Sequence, residues 1–236
     1  MRVRVDIPSQ VGGVPVTVIA SMSFYNCNAL THLTLPSTLV QIEADAIICC
    51  AALPEVIIPP SVTSIGAYAF VRCTSLVSVT IPASVTDLRE VPFENCTKLQ
   101  EINVDPANTV CSSQGGVLFN KSGSALLEYP GGKAGPYTIP SSCTAVSYGA
   151  FRNTTGITSV VIPASVTSIG MYAFKSSSSL SEVDIYTLNP PTLDYLDEQV
   201  FVGNAGGRII KVPAASLDAY KAAWYNYVSA IQAGTW

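Results

Sequence analysis

Apolar residues recur along this chain at a spacing that is neither that of a helix nor that of a plain strand. In SVTSIGAYAFVRCTSLVSVTIP, residues 61–82, they fall at Ile65, Phe70, Leu76, Val79 and Ile81, with Cys73 between them and Pro82 closing the segment. A step of 23 residues carries Ile65 onto Ile19, Ile42 and Leu88, and Phe70 onto Phe24, Ile47 and Phe93. Pro36, Pro59 and Pro82 keep the same step. After an irregular stretch the frame returns at Val146, Phe151, Ile157, Val160, Ile162 and Pro163, and then at Ile169, Phe174, Leu180, Val183 and Ile185. A looser last copy holds Leu196, Phe201, Ile210, Val212 and Pro213. Self-similarity at a fixed period of this size predicts a solenoid, because no single unit can bury its apolar face and stacked neighbours make one core.

Within a unit, L-x-x-L-x-L-P alternates apolar and polar residues, which predicts a short parallel strand with one face inward. Proline ends it, since its nitrogen cannot donate to a ladder. The half from the aliphatic residue to phenylalanine is too short for an ordinary helix and is expected to return the chain as turns or short irregular strand. Small residues at Ser23, Ala46, Ala69, Ala150 and Ala173 precede the aromatic slot and suggest close backbone stacking; Pro92 in that slot marks a local departure.

These units resemble the bacterial leucine-rich repeats of the BspA-like, or Treponema pallidum-type, class, whose pattern is L-x-x-L-x-L-P-x-x-V-x-x-I-G-x-x-A-F-x-x-C. Six near-complete copies and several degenerate ones span nearly the whole chain. The resemblance implies a leucine-rich repeat solenoid, mainly β, with short parallel strands and irregular return segments. It would form a curved right-handed stack of about 23-residue units with a short C-terminal capping helix. It also implies an extracellular or cell-surface location, and a role in attachment to host matrix proteins or other cells.

An unbroken repeat argues for a single domain over residues 1–236. The expected parts are N-terminal repeats at 1–105, an irregular hairpin-like insertion at 106–137, C-terminal repeats at 138–213 and a helical cap at 214–236. Residues 37–105, three turns in strict register, are expected to be the most regular part. In the insertion, residues 117–119 and 125–129 flank a turn at 120–124, which reads as a β-hairpin or an atypical turn. Its G-V-L-F-N-K run resembles an insertion common in the BspA-like class. Its Gly-Gly pairs and Lys133 match no phosphate-cradling spacing. Ser216 is placed to N-cap a short helix through Leu217, Tyr220 and Trp224 that covers the open end of the core.

Charge narrows the partners. Charged residues make up 12% of the chain and the net charge is −4, which disfavours nucleic acid, whose binding needs a clustered basic surface. The longest apolar run, residues 46–53, is far short of the ~20 residues that cross a bilayer as a helix. MRVRVDIPSQ has arginines but no apolar core of a signal peptide, and residues 2–8 already read as a strand. The chain is therefore expected to be a fragment of a longer protein whose leader lies elsewhere.

Cys27, Cys50, Cys73 and Cys96 are 23 apart and share one slot, filled later by Thr154, Ser177 and Asn204. The slot calls for a small side chain that hydrogen-bonds across a tight turn. Stacked turns lie ~4.8 Å apart, but parallel side-chain vectors suit the disulfide dihedral of roughly 90° poorly, so buried thiols are expected. Zinc is disfavoured because no C-x-x-C pair exists and one histidine serves the whole chain. Cys49, Cys111 and Cys143 lie off the ladder, with no role assignable from sequence.

A search for catalytic chemistry finds little. His32 sits at an outward strand position, and the carboxylates of Glu55, Glu101, Glu182 and Asp184 lie on an open face where nothing excludes water or splits a pair of pKa values. No cofactor, metal or catalytic site is expected, and the function reads as non-enzymatic. The outward row His32, Thr34, Glu55, Ile57, Ser78, Thr80, Glu101, Asn103, Ser159, Val161, Glu182 and Asp184 is the candidate partner-binding surface. It is mildly acidic and short in side chain, which suits a polar or basic protein surface. The expected partner is a protein, such as a host extracellular-matrix or other cell-surface protein; the alternative is a passive spacer within a larger surface protein. A lectin role is disfavoured because Trp224 and Trp236 lie in the cap and not along the sheet.

Overall fold

A computed structural model describes residues 3–194 and 199–236. Arg2, read into the first strand, and Leu196, read into the last repeat, lie outside the described residues. The protein is a β-solenoid of about 10 turns, mostly strand, with a short C-terminal helix. It divides into two compact units, Met1–Ser122 with Pro130–Gly132, and Gly123–Tyr129 with Lys133–Trp236, so the division falls inside the irregular 106–137 segment.

In the first unit the strand before each proline is inward at every second residue. Val3–Asp6 pairs in parallel with Leu30–Thr34, and Ser78–Ile81 with Glu101–Val104. The expected strand between these pairs does not form: residues 53–58 run extended without joining a ladder. Pro54 accounts for the gap. Gln100 N–H donates to Val77 O at 2.8 Å and Val77 N–H to Pro54 O at 3.1 Å, but Pro54 has no N–H to pass the ladder on toward Thr31. Leu53, Val56 and Ile58 remain buried, so the core continues where the sheet is interrupted. The 37–105 stretch is thus not the most regular part on this face. The return segments, by contrast, form a four-stranded parallel sheet of two-residue strands, Val18–Ile19, Gln41–Ile42, Ser64–Ile65 and Asp87–Leu88.

The second unit holds the longest unbroken parallel sheet. Gly135–Thr138, Ile157–Ile162, Glu182–Ile185, Ile209–Val212 and Ile231–Ala233 pair in that order. Its second sheet runs Ala125–Glu128, Ala145–Val146, Ser168–Ile169, Thr192–Leu193.

Between the two sheets of each unit the chain turns through an arc with its own ladder. Residues 22, 45 and 68 and residues 26, 49 and 72 have positive φ although none is glycine. This conformation aims alternate amides at the next coil: Asp45, Ile47 and Cys49 donate to Ala67, Ala69 and Val71 O at 3.1, 2.8 and 2.9 Å. Phe70 N–H donates to Pro92 O at 2.8 Å, so Pro92 keeps the arc bond; the departure there is the φ of 37° at Val91. The small residue before phenylalanine is buried in every case where it is alanine. Gly66 and Gly170 lie so near the preceding coil that a Cβ would meet the backbone nitrogens of Ala44 and Tyr148 at 2.3 and 2.5 Å. Inside, the rings stack: Phe70 on Phe93 at 5.4 Å, Phe151 on Phe174 at 4.9 Å and Phe174 on Phe201 at 5.1 Å.

A tight hairpin that the sequence reading lacks precedes the expected turn at 120–124. Cys111–Gln114 and Val117–Asn120 are antiparallel about Gly115–Gly116, both at positive φ, which is the demand of a two-residue hairpin turn. Gly116 lies 3.1 Å or less from Glu101 atoms at the point where a Cβ would stand, and its carbonyl accepts from Ile102 N–H at 2.8 Å.

Residues 214–236 close the second unit with a 3-10 turn, the helix Leu217–Ala223, a second 3-10 stretch Tyr225–Ala230 and the strand Ile231–Ala233. Ser216 does not cap the helix through its side chain. It occupies the turn slot of Leu39, Val62, Val85 and Val166, where the N–H bonds the carbonyl three residues back, here Pro213, and its side chain is buried. Tyr220, Trp224, Tyr227 and Ile231 are buried, and Trp224 packs against Phe201 at 6.1 Å. Tyr220 Oη donates to Thr187 O at 2.9 Å and Trp224 Nε1 to Pro191 O at 3.0 Å, so both polar tips are satisfied.

Deletion of residues 214–236 uncovers Phe201 and leaves Ile209–Val212 as an edge. The truncated chain should aggregate or lose cooperative unfolding in a thermal melt followed by circular dichroism and light scattering. A monomer with an unchanged melt would show that the segment is not a cap.

Candidate functional site

The sequence nominates two places for chemistry, the cysteine slot and the outward row. In the slot, five side chains donate to the carbonyl of the aromatic-slot residue one coil back, whereas Cys27 meets Tyr25 O and Thr154 donates to Phe151 O of its own coil. Cys50 Sγ lies 3.2 Å from Phe24 O, Cys73 Sγ 3.1 Å from Ile47 O and Cys96 Sγ 3.2 Å from Phe70 O. Ser177 Oγ and Asn204 Nδ2 do the same to Phe151 and Phe174 O at 2.6 Å each. Thiol, hydroxyl and amide are interchangeable here because the slot needs one short donor.

All seven cysteines are thiols rather than disulfides. Cys73 beside it, and then burial, push the Cys50 thiol well above its ordinary value; burial raises Cys27 and Cys143, and takes Cys111 to about 11. These groups are protonated donors at neutral pH, whereas metal binding and nucleophilic attack require the thiolate. Among the described residues no three His, Cys, Asp or Glu side chains gather as a metal site.

The three off-ladder cysteines acquire places. Cys49 is a positive-φ arc residue. Cys143 fills the turn slot of Val62 and Val166, as the spacing from Pro140 would have signalled. Cys111 donates to Asn108 Oδ1, which also accepts from the Val110 and Cys111 amides while Nδ2 donates to Pro82 and Val85 O. Asn108 is fully buried and stitches the register break to the coil before it.

The outward row divides between the units. In the first, Glu101 stands beside Ser78 and Asn103 beside Thr80. His32 pairs in register with Arg4 and Thr34 with Asp6, whereas Glu55 and Ile57 lie on the unpaired 53–58 segment, Ile57 78% exposed. His32 Nε2 meets Thr34 Oγ1 at 3.1 Å and lies 3.9 Å from Asp6. Hydrogen bonds from Arg4 and Thr34 hold Asp6 below the usual carboxylate range. In the second unit, Ser159 stands beside Glu182 and Val161 beside Asp184. The next strand brings Lys211 beside Asp184. Lys211 contacts Glu182 closely and lies 3.8 Å from Asp184, so the acidity expected at this end is partly neutralised. Arg4, Asp6 and Lys211 belong to the row but were not read into it: the first two precede the regular repeats, and Lys211 lies 29 residues after Glu182, outside the 23-residue step.

A groove of roughly 450 Å³ runs beside the first unit's return sheet, past Ser21, Glu43, Gly66, Asp87, Arg89 and Glu90. Its polar groups answer one another. Glu43 accepts from Ser21 N–H at 2.9 Å, and Asp87 pairs with Arg89 at 2.8 Å and accepts from Ser64 Oγ. The groove offers no nucleophile with a base, and no described helix is long and apolar enough to cross a membrane.

Coil geometry, inward leucine-type positions and the small-donor slot define a leucine-rich repeat solenoid. The BspA type leucine rich repeat region matches in six copies over residues 5–121 and 135–231, and the chain belongs to that family. Among solved structures it is similar to a leucine rich cell surface protein from Faecalibacterium prausnitzii A2-165, at 22% identity and a TM-score of 0.68 over 99% of this chain and 73% of that one. A leucine-rich repeat protein from Eubacterium ventriosum ATCC 27560 gives 22%, 0.61, 92% and 70%. The pneumococcal vaccine antigen PcpA gives 16%, 0.52, 98% and 87%. No curated protein matches in sequence.

Exchange of Cys73 for serine keeps a donor in the slot and should change unfolding free energy by less than about 1 kcal/mol. Exchange for valine strands the Ile47 carbonyl and should cost about 1–3 kcal/mol in denaturant titration. Thiol titration of the unfolded wild type without reductant should count the four ladder cysteines as thiols; two or more disulfides among them would overturn the slot's role.

Proposed function

We propose that the chain is a non-enzymatic protein-binding or adhesion module of a bacterial cell-surface protein, engaging a host or cell-surface protein through its outward sheet face. The observation that supports this most is the second unit's five-stranded parallel sheet. Its inward positions hold the core and its outward ones, from Ser159 to Lys211, are released from packing. Family membership and the cell-surface description of the Faecalibacterium protein support the location. Against a catalytic reading stands the sole histidine, His32, engaged with Thr34 on an open row.

Size refines the proposal. Five strands at ~4.8 Å spacing and four residues at ~3.3 Å make a face of about 250–300 Å², well below the ~800 Å² per partner of a standard interface. A partner must therefore reach past the row onto flanking residues. The spacer reading is favoured by one observation, the compensation of Glu182 by Lys211 and of Asp6 by Arg4, which a solvated face without a partner would also display.

The test uses Glu55→Lys, Glu101→Lys, Glu182→Gln and Asp184→Asn together, against a panel of immobilised extracellular-matrix proteins, with thermal melts as the control for folding. Wild type is expected to bind at least one, and the variant to bind about tenfold more weakly or not at all. A wild type that captures none supports the spacer; undiminished binding by a folded variant removes the site from this row.

A further inference from the structure

Beyond the strand Glu182–Ile185 the chain continues in register for one residue. Tyr186 N–H donates to Ile162 O at 3.0 Å, so Tyr186 follows Glu182 and Asp184 on the outward side and is 40% exposed. Two strands further, Gly234 N–H donates to Val212 O at 2.8 Å. There the chain folds Trp236 back over the sheet. A Cβ at Gly234 would lie 2.5 Å from the indole, and the indole stands 4.7 Å from the Tyr186 ring at an interplanar angle of 35°. Trp236 is 49% exposed. The tryptophan that the sequence assigns to the cap alone thus lies on the outward face in a tilted stack with Tyr186, which is a plate only on its exposed side.

Beside this plate is an under-compensated carboxylate. Lys211 is taken up by Glu182, and its Nζ is 3.8 Å from Asp184 Oδ1, too long for a hydrogen bond. Among the described residues Oδ1 receives no hydrogen bond, though it is withdrawn from water. The side chain as a whole keeps 21% of its surface exposed. Two carboxylates share one ammonium; burial raises the Asp184 pKa, Lys211 pulls it down and Glu182 raises it again, so a further cation is what the ionised form lacks. Asp184 and Tyr186, two residues apart on one strand, are ~7 Å apart along it.

We propose that Tyr186, Trp236 and Asp184 form a docking subsite for an arginine side chain of a protein partner, its guanidinium plane resting on the aromatic plate while its N–H groups donate to the Asp184 carboxylate. The proposal rests on the protein-binding reading above and names the chemistry of that partner. Guanidinium fits both halves of the subsite, being planar, weakly hydrated and a multiple donor. A lysine ammonium is a strongly hydrated point charge that gains less from the plate. A sugar ring would stack on the plate but leave the Asp184 charge uncompensated. Tryptophan, tyrosine and arginine are also the residues that dominate protein interfaces energetically.

Two tryptophans give two indole N–H resonances in a nitrogen-15 spectrum of the full chain. Trp224 is buried and bonded to Pro191, so only the Trp236 signal faces solvent. Titration with acetyl-GGRGG-amide should move the Trp236 signal saturably and leave that of Trp224 in place. Acetyl-GGKGG-amide should bind about tenfold more weakly, the size of a cation–π and charge-assisted contribution. Asp184→Asn should weaken arginine-peptide binding about tenfold, and Gly234→Ala, which drives Trp236 off Tyr186, should abolish it with the melt unchanged. Equal response to both peptides, indifference to Asp184→Asn, no response, or a response to maltohexaose alone overturns the proposal. If the chain captures a matrix protein and Gly234→Ala captures it equally, the subsite fails and the module reading stands. If the arginine peptide binds as expected and no matrix protein does, the subsite stands and the adhesion reading fails.

Discussion

Backbone hydrogen bonds between successive coils are what everything else in this protein depends on. A coil of about 23 residues has strands of two to six residues, too short to hold on their own. Each therefore borrows its pairing from the coil on either side, in the main sheet, in the return sheet and in the arc. The arc is bought at a conformational cost. Among the described residues eleven non-glycine positions sit at positive φ, Tyr68, Val91 and Tyr172 included, at up to about 1–2 kcal/mol apiece. What sustains them is that these turns aim alternate amides at the carbonyls of the next coil, where otherwise buried donors would be stranded. The cysteine slot completes the scheme by giving the aromatic-slot carbonyl a donor from one coil on.

The fold was legible because it is periodic, and legible to the degree that each residue acts through the period. Inward positions such as Ile65, Phe70 and Val79, the terminal prolines and the shared donor slot all follow from spacing alone. Departures were legible only when they changed residue type in a slot. Pro54 occupies a position whose amide would carry the ladder toward Thr31, a role that shows only once the coils are paired. Cys143 stands three residues after Pro140, as Val62 does after Pro59, and Ser216 stands likewise after Pro213, where its side chain makes no capping bond. Asn108 is different in kind. It fills the same slot with a buried amide whose partners come from two coils, and nothing in the sequence shows which carbonyls it would meet.

The outward row was legible as a row but not as a surface. Alternation decides which side chains face out, whereas the company they keep depends on how strands are offset when a coil is longer than the rest. Glu182 meets Lys211 because the last coil is extended, and the pair turns an acidic stripe into a nearly balanced one. In the first unit Asp6 is balanced by Arg4 from its own strand. In the second, residual electrostatic character collects at Asp184, where one ammonium serves two carboxylates.

The cap links these observations. Repeat slots admit only side chains of a size that fits between those of the neighbouring coils, and both tryptophans, Trp224 and Trp236, lie in the closing segment. The closing segment is freed from that rule, since it has one neighbour and not two. It can use Tyr220 and Trp224 to cover Phe201 from within while sending Ile231–Ala233 along the sheet edge. A chain that ends its sheet this way emerges on the outward face one residue past the last ladder bond, at Gly234, where the absence of a Cβ lets an indole lie flat against the strand. The same departure from periodicity that seals the core therefore sets a large aromatic surface on the one face the core leaves open.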